Sequence, residues 1–391
     1  GDVNPCELYH NNRDGTFTEC AKKCGVDAGK FVKGVTAGDY NNDGRPDLYL
    51  SCLDSFNILL RNGGPGAEEG AWKFTNTTAE AGVREPKVSF PTWFWDHDND
   101  GWLDLFVSGY PKNDTAAVVA DHARPGYAAF DDAVSRLADI ESCDPEMLRP
   151  AFQAAYDAWM GVEHLHLGPA EENGRALSIL FWPDPKGLGA KAQTALLTGD
   201  TASLTLEGMA EQSVAVRGLA GLERLLYPAK PLAADPCPLI RITIDDLARQ
   251  AEVLSADWGP FGEELLSAGQ AGNHRFLKPE EATQVLFTQL ATGLEFIADR
   301  RIGRPLGTFD KPRPDLAEGQ ASGRALANIT LSLKALRGLA ASLSPDSSKT
   351  LAAFDHAISL SETLDDPLLD HITDPQAWLH LEILQQAIHT T

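Results

Sequence analysis

From residue 115 to residue 391, apolar positions recur every three or four residues, the period of a helix buried along one side. The pattern predicts helices over 115–140 and 146–167, one within 203–227 that stops before Pro228, and others over 245–258 and 279–302. Three more follow over 322–343, 347–364 and 375–389. Pro279 suits a first helical turn, and Leu286, Leu290, Leu294 and Ile297 form the stripe of the helix it opens. Residues 4–110 read differently. Short β-rich runs, such as Leu48-Tyr49-Leu50 and Leu105-Phe106-Val107, alternate there with turns rich in glycine and asparagine. The character changes at Tyr110-Pro111-Lys112-Asn113-Asp114, which divides the chain into residues 1–112 and 113–391. An all-β part followed by an all-α part built of helical bundles is expected.

On the predicted helix 146–167, Phe152, Tyr156, Trp159, Glu163 and His166 fall on one stripe, and Gly168-Pro169 is its stop signal. An inward Glu-x-x-His pair is the half-site with which helical bundles hold a metal, and the same spacing also serves a buried ion pair. His164 falls off that stripe. Asp184, flanked by prolines, reads as a cap or turn residue. His274, His356, His371 and His380 show no ligand spacing and read as solvated. No Gly-x-Ser-x-Gly, His-Glu-x-x-His or phosphate-cradling loop occurs.

Charge narrows the partners. Against 33 basic side chains stand 56 acidic ones, a net charge of −23 over 391 residues, which disfavours nucleic acid and anionic membrane and suits cations. No apolar run is long enough for a transmembrane helix. The chain starts at Gly1 with neither an initiator Met nor a signal peptide, and so reads as a processed form or a fragment. Its six cysteines show no Cys-x2-Cys spacing. Cys6, Cys20, Cys24 and Cys52 lie in the first part, Cys143 and Cys237 in the second. Even counts in both parts suit disulfides in an oxidising compartment, with unpaired buried thiols as the alternative, so an extracytoplasmic protein is expected. Cys143 and Cys237 would join the first helical pair to a later connection.

Two loops carry the clearest chemistry. Residues 39–47 read DYNNDGRPD and residues 96–104 read DHDNDGWLD, with oxygen side chains at positions one, three, five and nine and glycine at six. Asp39, Asn41, Asp43 and Asp47 form one set, and Asp96, Asp98, Asp100 and Asp104 the other. Ca²⁺ takes six to eight hard oxygen ligands, which such loops supply with a carbonyl and water; acidic turns without an ion are the plain alternative. No Glu stands at position twelve, so the loop is not an EF-hand. Gly25-Val26 and Gly82-Val83 precede the loops at matching positions, and LYHNNRDGTFTE (8–19) is similar to LLRNGG with WKFTNTT (59–78). Together these features resemble the FG-GAP/VCBS repeats of β-propellers, in the form found in ASPIC/UnbV-type proteins. The resemblance implies two repeats of an incomplete propeller, with Ca²⁺ stapling strands together.

The phrases AWMGVEHLHLGP (158–169), FWPDPKG (181–187), RGLAGLERLLYP (217–228), RRIGRPLG (300–307) and SGRALANITLSLKAL (322–336) resemble the imelysin-like family, in its predicted periplasmic lipoprotein branch. That resemblance implies two four-helix bundles in an extracytoplasmic protein linked to iron regulation or uptake, classed with a peptidase. Its hallmark is Gly-x-His-x-x-Glu. The matching segment here runs from Gly218 to Glu223, with Ala220 in place of the histidine. Alanine neither binds a metal nor transfers a proton, which argues against catalysis. Glu223 either pairs with Arg217 or Arg224 or joins Glu163 and His166 as ligands for iron or zinc. Three functions stay open: a periplasmic, outer-membrane or cell-surface protein that binds metal or serves iron uptake; a non-catalytic surface or adhesion scaffold with a protein partner; and an imelysin-type peptidase.

Overall fold

The computed structural model describes residues 6–53, 55–66, 72–86, 88–109, 114–199 and 204–391. The chain divides into two compact units, Gly1–Lys112 and Asn113–Thr391. The change of character expected at 110–113 lies outside the described residues.

In the first unit, β1 (Tyr9–Asn11) pairs with β2 (Phe17–Glu19), and the one-turn helix α1 (Ala21–Cys24) follows. An antiparallel meander comes next: β3 (Val32–Gly38), β4 (Asp47–Cys52), β5 (Ile58–Pro65) and β6 (Trp72–Asn76). A second one-turn helix, α2 (Thr78–Ala81), leads to the paired strands β7 (Ser89–Trp95) and β8 (Asp104–Gly109). β3 begins at residue 32 and β7 at residue 89, and the same offset of 57 relates β4 to β8 and α1 to α2. The repeat seen in the sequence is therefore a repeat of backbone. β4, central in its sheet, buries Tyr49, Leu50, Ser51 and Cys52, and its small core adds Ala21, Val26, Ile58 and Leu60. The all-β expectation holds as sheets of two, four and two strands among the described residues. The disulfides expected in this unit are not formed: Cys6, Cys20, Cys24 and Cys52 are free. Cys20, Cys24 and Cys52 are buried and pack as small apolar side chains.

The second unit is helical. α3 (Thr115–Ala117), capped by the Asp114 carboxylate, runs through a π-helical turn at Val118–Ala123 into α4 (Arg124–Ala138). Next come α5 (Pro145–Met160), α6 (Arg175–Ile179), α7 (Leu188–Thr198), α8 (Leu206–Ala210), α9 (Gly218–Leu226) and the long α10 (Cys237–Leu266). α11 (Pro279–Glu295) passes into a second π-helical stretch, Phe296–Ile302, before α12 (Gly303–Leu306). α13 (Ala325–Leu343), α14 (Ser348–Thr363) and α15 (Pro375–His389) end the chain. α4, α5, α9 and α10 pack as one group; α11, α13, α14 and α15 pack as another, and α13 reaches α5. Trp159, Trp258, Tyr127, Tyr156, Phe130 and Phe152 are wholly buried in the shared core. Burying each contributes roughly 1.5–3 kcal/mol, which is why the aromatic stripe of α5 faces inward.

Local chemistry sets many of the boundaries. Asp144 and Asp374 accept from backbone N–H groups at the starts of α5 and α15, and Pro145 and Pro375 occupy the first turns. Asp184 accepts from Leu188 N and Gly189 N, the capping job read from the sequence. Gly218 opens α9 at φ +59°, where a Cβ would lie 2.1 Å from the Ile179 carbonyl oxygen. α6 and α7 carry no strong sequence signal, and α10 starts eight residues before its predicted onset at 245. Cys143 and Cys237 form a disulfide.

α5 ends at Met160, not at Gly168-Pro169, so Glu163 and His166 are not on the aromatic stripe. From Gly161 the backbone tightens: Leu165 N donates to Val162 O, His166 N to His164 O and Leu167 N to Leu165 O. This turn buries four successive residues, Val162, Glu163, His164 and Leu165, whereas a helix buried along one side would turn some of them to solvent.

Candidate functional site

The turn after α5 places three chemical side chains around one cavity of about 250 Å³. Glu163 and His164 are buried, whereas His166 is exposed at its border. His164, expected off the stripe, is thus the interior imidazole, and His166 the outer one. Phe296, Ile297 and Leu336 supply apolar wall, and Arg301 and Ser332 the polar remainder.

Arg301 organises the floor. Its guanidinium lies 3.1 Å from Glu163 Oε2 and 2.6 Å from Glu318 Oε2, and it donates to Ser332 Oγ at 2.9 Å. Burial pulls the Arg301 pKa down, but the Glu163 and Glu318 carboxylates outweigh it and hold the group more firmly protonated than usual. The network continues inward, since Asn328 donates to Glu318 and Arg324 donates to both Asn328 and Asp157. Arg301, Glu318 and His122 were not singled out from the sequence. Arg301 lies in a phrase noted only for its resemblance, and His122 belongs to no motif.

His122, on the π-helical turn before α4, meets His164 with Nε2 to Nε2 at 2.9 Å. Burial lowers the His122 pKa to about 4. Burial, then His122, His166 and Arg301, hold His164 well below the usual histidine range. The Nδ1 atom of His164 is buried without a hydrogen-bond partner.

Glu223 does not line this cavity. On α9, it accepts from Ser322 N at 3.0 Å and Ser322 Oγ at 2.6 Å. Burial raises its pKa, and the Ser322 hydrogen bonds act in the opposite direction. Neither candidate arginine forms an ion pair with it: Arg217 pairs with buried Asp246, and Arg224 donates to Gln193. Ala220 lies buried on the same helix.

In the first unit, the two acidic loops share one construction. Asp39 accepts from Asp43 N and Gly44 N, and Asn41 accepts from Asp43 N. Asp96 accepts from Asp100 N and Gly101 N, and Asp98 from Asp100 N. Asn42 and Asn99 adopt positive φ at equivalent places, as do Gly44 and Gly101. Asp96, Asp98 and Asp100 bring one oxygen each within 4.8 Å of one another. Asn42 Nδ2 donates to Gly101 O, linking the loops directly.

The ninth position separates them. Asp47 is wholly buried; its Oδ1 accepts from Asn62 N and its Oδ2 has no partner. Burial raises its pKa. Asp104 is exposed instead, with Oδ2 2.6 Å from His97 Nδ1, and Asp43 is held at 2.5 Å by Arg45 Nη2. In the first loop the orphaned Asp47 oxygen, close enough to Asp43 and Asp39 to feel their charge, and in the second the clustered oxygens of Asp96, Asp98 and Asp100 fit a hard cation such as Ca²⁺.

Comparison with known proteins sets these sites in context. A family model described as Imelysin matches residues 119–391, and one described as FG-GAP-like repeat matches residues 1–50. Iron-regulated protein A of Synechococcus elongatus is 27% identical over 192 residues, 47% of this chain and 49% of that protein. The chain thus spans about half the length of the curated relative it matches. The crystal structure of an imelysin-like protein from Psychrobacter arcticus is similar at a TM-score of 0.57 and 22% identity. That match covers 70% of this chain and 91% of the other, and it speaks for the helical fold alone.

Proposed function

Because this chain belongs to the imelysin family, we propose that it is an extracytoplasmic metal-binding protein of the iron-associated kind, without peptidase activity. Glu163 and His166 hold a transition ion, iron or zinc, at the cavity they border. The observation that carries this reading is the convergence of Glu163, His164 and His166 on one small cavity, since carboxylate and imidazole are the donors that borderline divalent ions take. Glu223, engaged by Ser322, acts as a structural residue. With Ala220 at the hallmark position, hydrolysis lacks a general base there. The Cys143–Cys237 disulfide supports an oxidising compartment, whether periplasm, outer membrane or cell surface. Elemental analysis of the full chain, secreted into an oxidising compartment and dialysed, is expected to find near-stoichiometric iron or zinc. Glu163→Ala and His166→Ala are expected to remove it without loss of helix content. A metal-free wild-type chain would sink the reading.

In the first unit, we infer that Asp39, Asn41, Asp43 and Asp47 hold one Ca²⁺ and Asp96, Asp98, Asp100 and Asp104 a second. The sheets then serve as propeller blades: the second half of one in β1–β2, a whole one in β3–β6 and the first half of another in β7–β8. Titration calorimetry is expected to count two Ca²⁺ per chain, falling to one in Asp39→Ala and in Asp96→Ala. At free Ca²⁺ of 100 times Kd, each site stabilises the unit by about 2.7 kcal/mol. Unchanged heats in both variants would refute the assignment.

A second reading, a surface or adhesion scaffold, is favoured by the aromatic face of β7–β8. Trp93 and Phe106 stack there at 4.1 Å while both stay exposed, as does Trp95. Capture of a protein partner by a chain that holds no transition ion would favour it.

A further inference from the structure

His122 has no place in the metal-binding reading so far, yet its Nε2 atom stands 2.9 Å from that of His164. The two residues are 42 positions apart and come from different elements, the π-helical turn before α4 and the turn after α5. Gly338 of α13 lies alongside the His122 ring, where a Cβ would stand in ordinary contact at 3.4 Å from Nδ1, and at Gly293 of α11 a Cβ would first meet Leu336 at 2.7 Å and then His164 Cβ at 3.4 Å.

An imidazole nitrogen sits about 2.0–2.1 Å from a bound Zn²⁺ and at similar distances from neighbouring divalent ions. Two such nitrogens on one ion are therefore roughly 2.9–3.4 Å apart, for bond angles between square and tetrahedral. The observed separation falls at the short end of that range. It equally suits a simple N–H···N hydrogen bond, which is the alternative the experiment must exclude. When Nε2 binds a metal, Nδ1 keeps its proton and donates it to a carboxylate, carbonyl or water. The unpartnered Nδ1 of His164 belongs to a residue that lines the cavity, where such an acceptor has space.

We propose that His122 and His164 are paired imidazole donors for a divalent first-row transition ion, beside the cavity that Glu163 and His166 border. This rests on the metal-binding reading of that cavity and deepens it by naming its imidazole donors. Glu163, next to His164 in sequence, lines the same cavity with its carboxylate held by Arg301, and the cavity leaves room for water or further ligands.

The test uses the full chain, saturated with Ca²⁺ so that the acidic loops are filled, and Co²⁺ as the probe. Titration followed by ligand-field absorption is expected to show one Co²⁺ per chain. His122→Gln and His164→Gln are each expected to weaken binding more than the roughly 10–100-fold that loss of a supporting residue costs, with circular dichroism unchanged. Wild-type binding that both variants retain would overturn the pair while leaving the metal reading of Glu163 and His166 intact. A wild-type chain that binds no Co²⁺ would overturn both. Should His164→Gln fail to fold, His122→Gln on its half-buried turn carries the test. Pulsed electron paramagnetic resonance of the Cu²⁺-loaded wild type then counts coordinated imidazoles: two or more support the pair, and one or none refutes it.

Discussion

Replacing Arg301 with methionine is expected to destabilise the helical unit by about 3–5 kcal/mol, the range for removing one partner of a buried ion pair. Arg301, Glu318 and Glu163 are all buried, and the guanidinium is the cation that faces both carboxylates. Methionine preserves the stem volume, so the loss reports uncompensated charge rather than a cavity. Urea unfolding followed by helical circular dichroism measures the cost. A triple variant that adds Glu163→Gln and Glu318→Gln is expected to recover most of it, because neutral amides no longer need the guanidinium. A single variant that loses less than about 1 kcal/mol would show that the network is not a stabilising charge centre. The triple variant separates two roles of Glu163 as well, since it restores folding while abolishing any metal binding that needs the carboxylate.

Removing the Cys143–Cys237 disulfide is expected to cost about 3–5 kcal/mol. The bond spans 94 residues, from the α4–α5 connection to the start of α10. In the chain-entropy description, a loop near that length is worth about 4.7 kcal/mol, and measured native disulfides cluster somewhat lower. α4 and α10 already pack along their lengths, so the native geometry survives in the reduced chain and the effect lies chiefly in the unfolded ensemble. A Cys143→Ala, Cys237→Ala variant should unfold at lower urea with a steeper dependence on denaturant, since its unfolded chain is more open. Equal midpoints for oxidised and reduced protein would contradict this.

Both effects depend on pairings between distant parts of the chain, and this is where sequence reading reached its limit. The acidic loops were readable because their chemistry is local: side-chain oxygens two to five residues from the N–H groups they accept, and glycines at positive φ. The later helices were readable because period and punctuation agree, as where Pro279 and Pro375 open α11 and α15. The end of α5 departs from the expected position because the helical spacing of large side chains persists to His166. Gly161 is a fainter stop than Gly168-Pro169, and only the core decides between them, by taking in the four successive residues Val162 to Leu165.

By itself, then, the sequence determined the two kinds of structure, the 57-residue repeat, the oxygen side chains of the loops and the alanine at position 220. Each depends on residues within one turn, one strand pair or one periodic stripe. The tertiary structure decided which carboxylates Arg301 faces, that Glu223 answers to Ser322, that His164 rather than His166 turns inward, and that His122 meets it. Those outcomes follow from the packing of elements far apart in the chain, where burial sets how much each charge and each hydrogen bond counts.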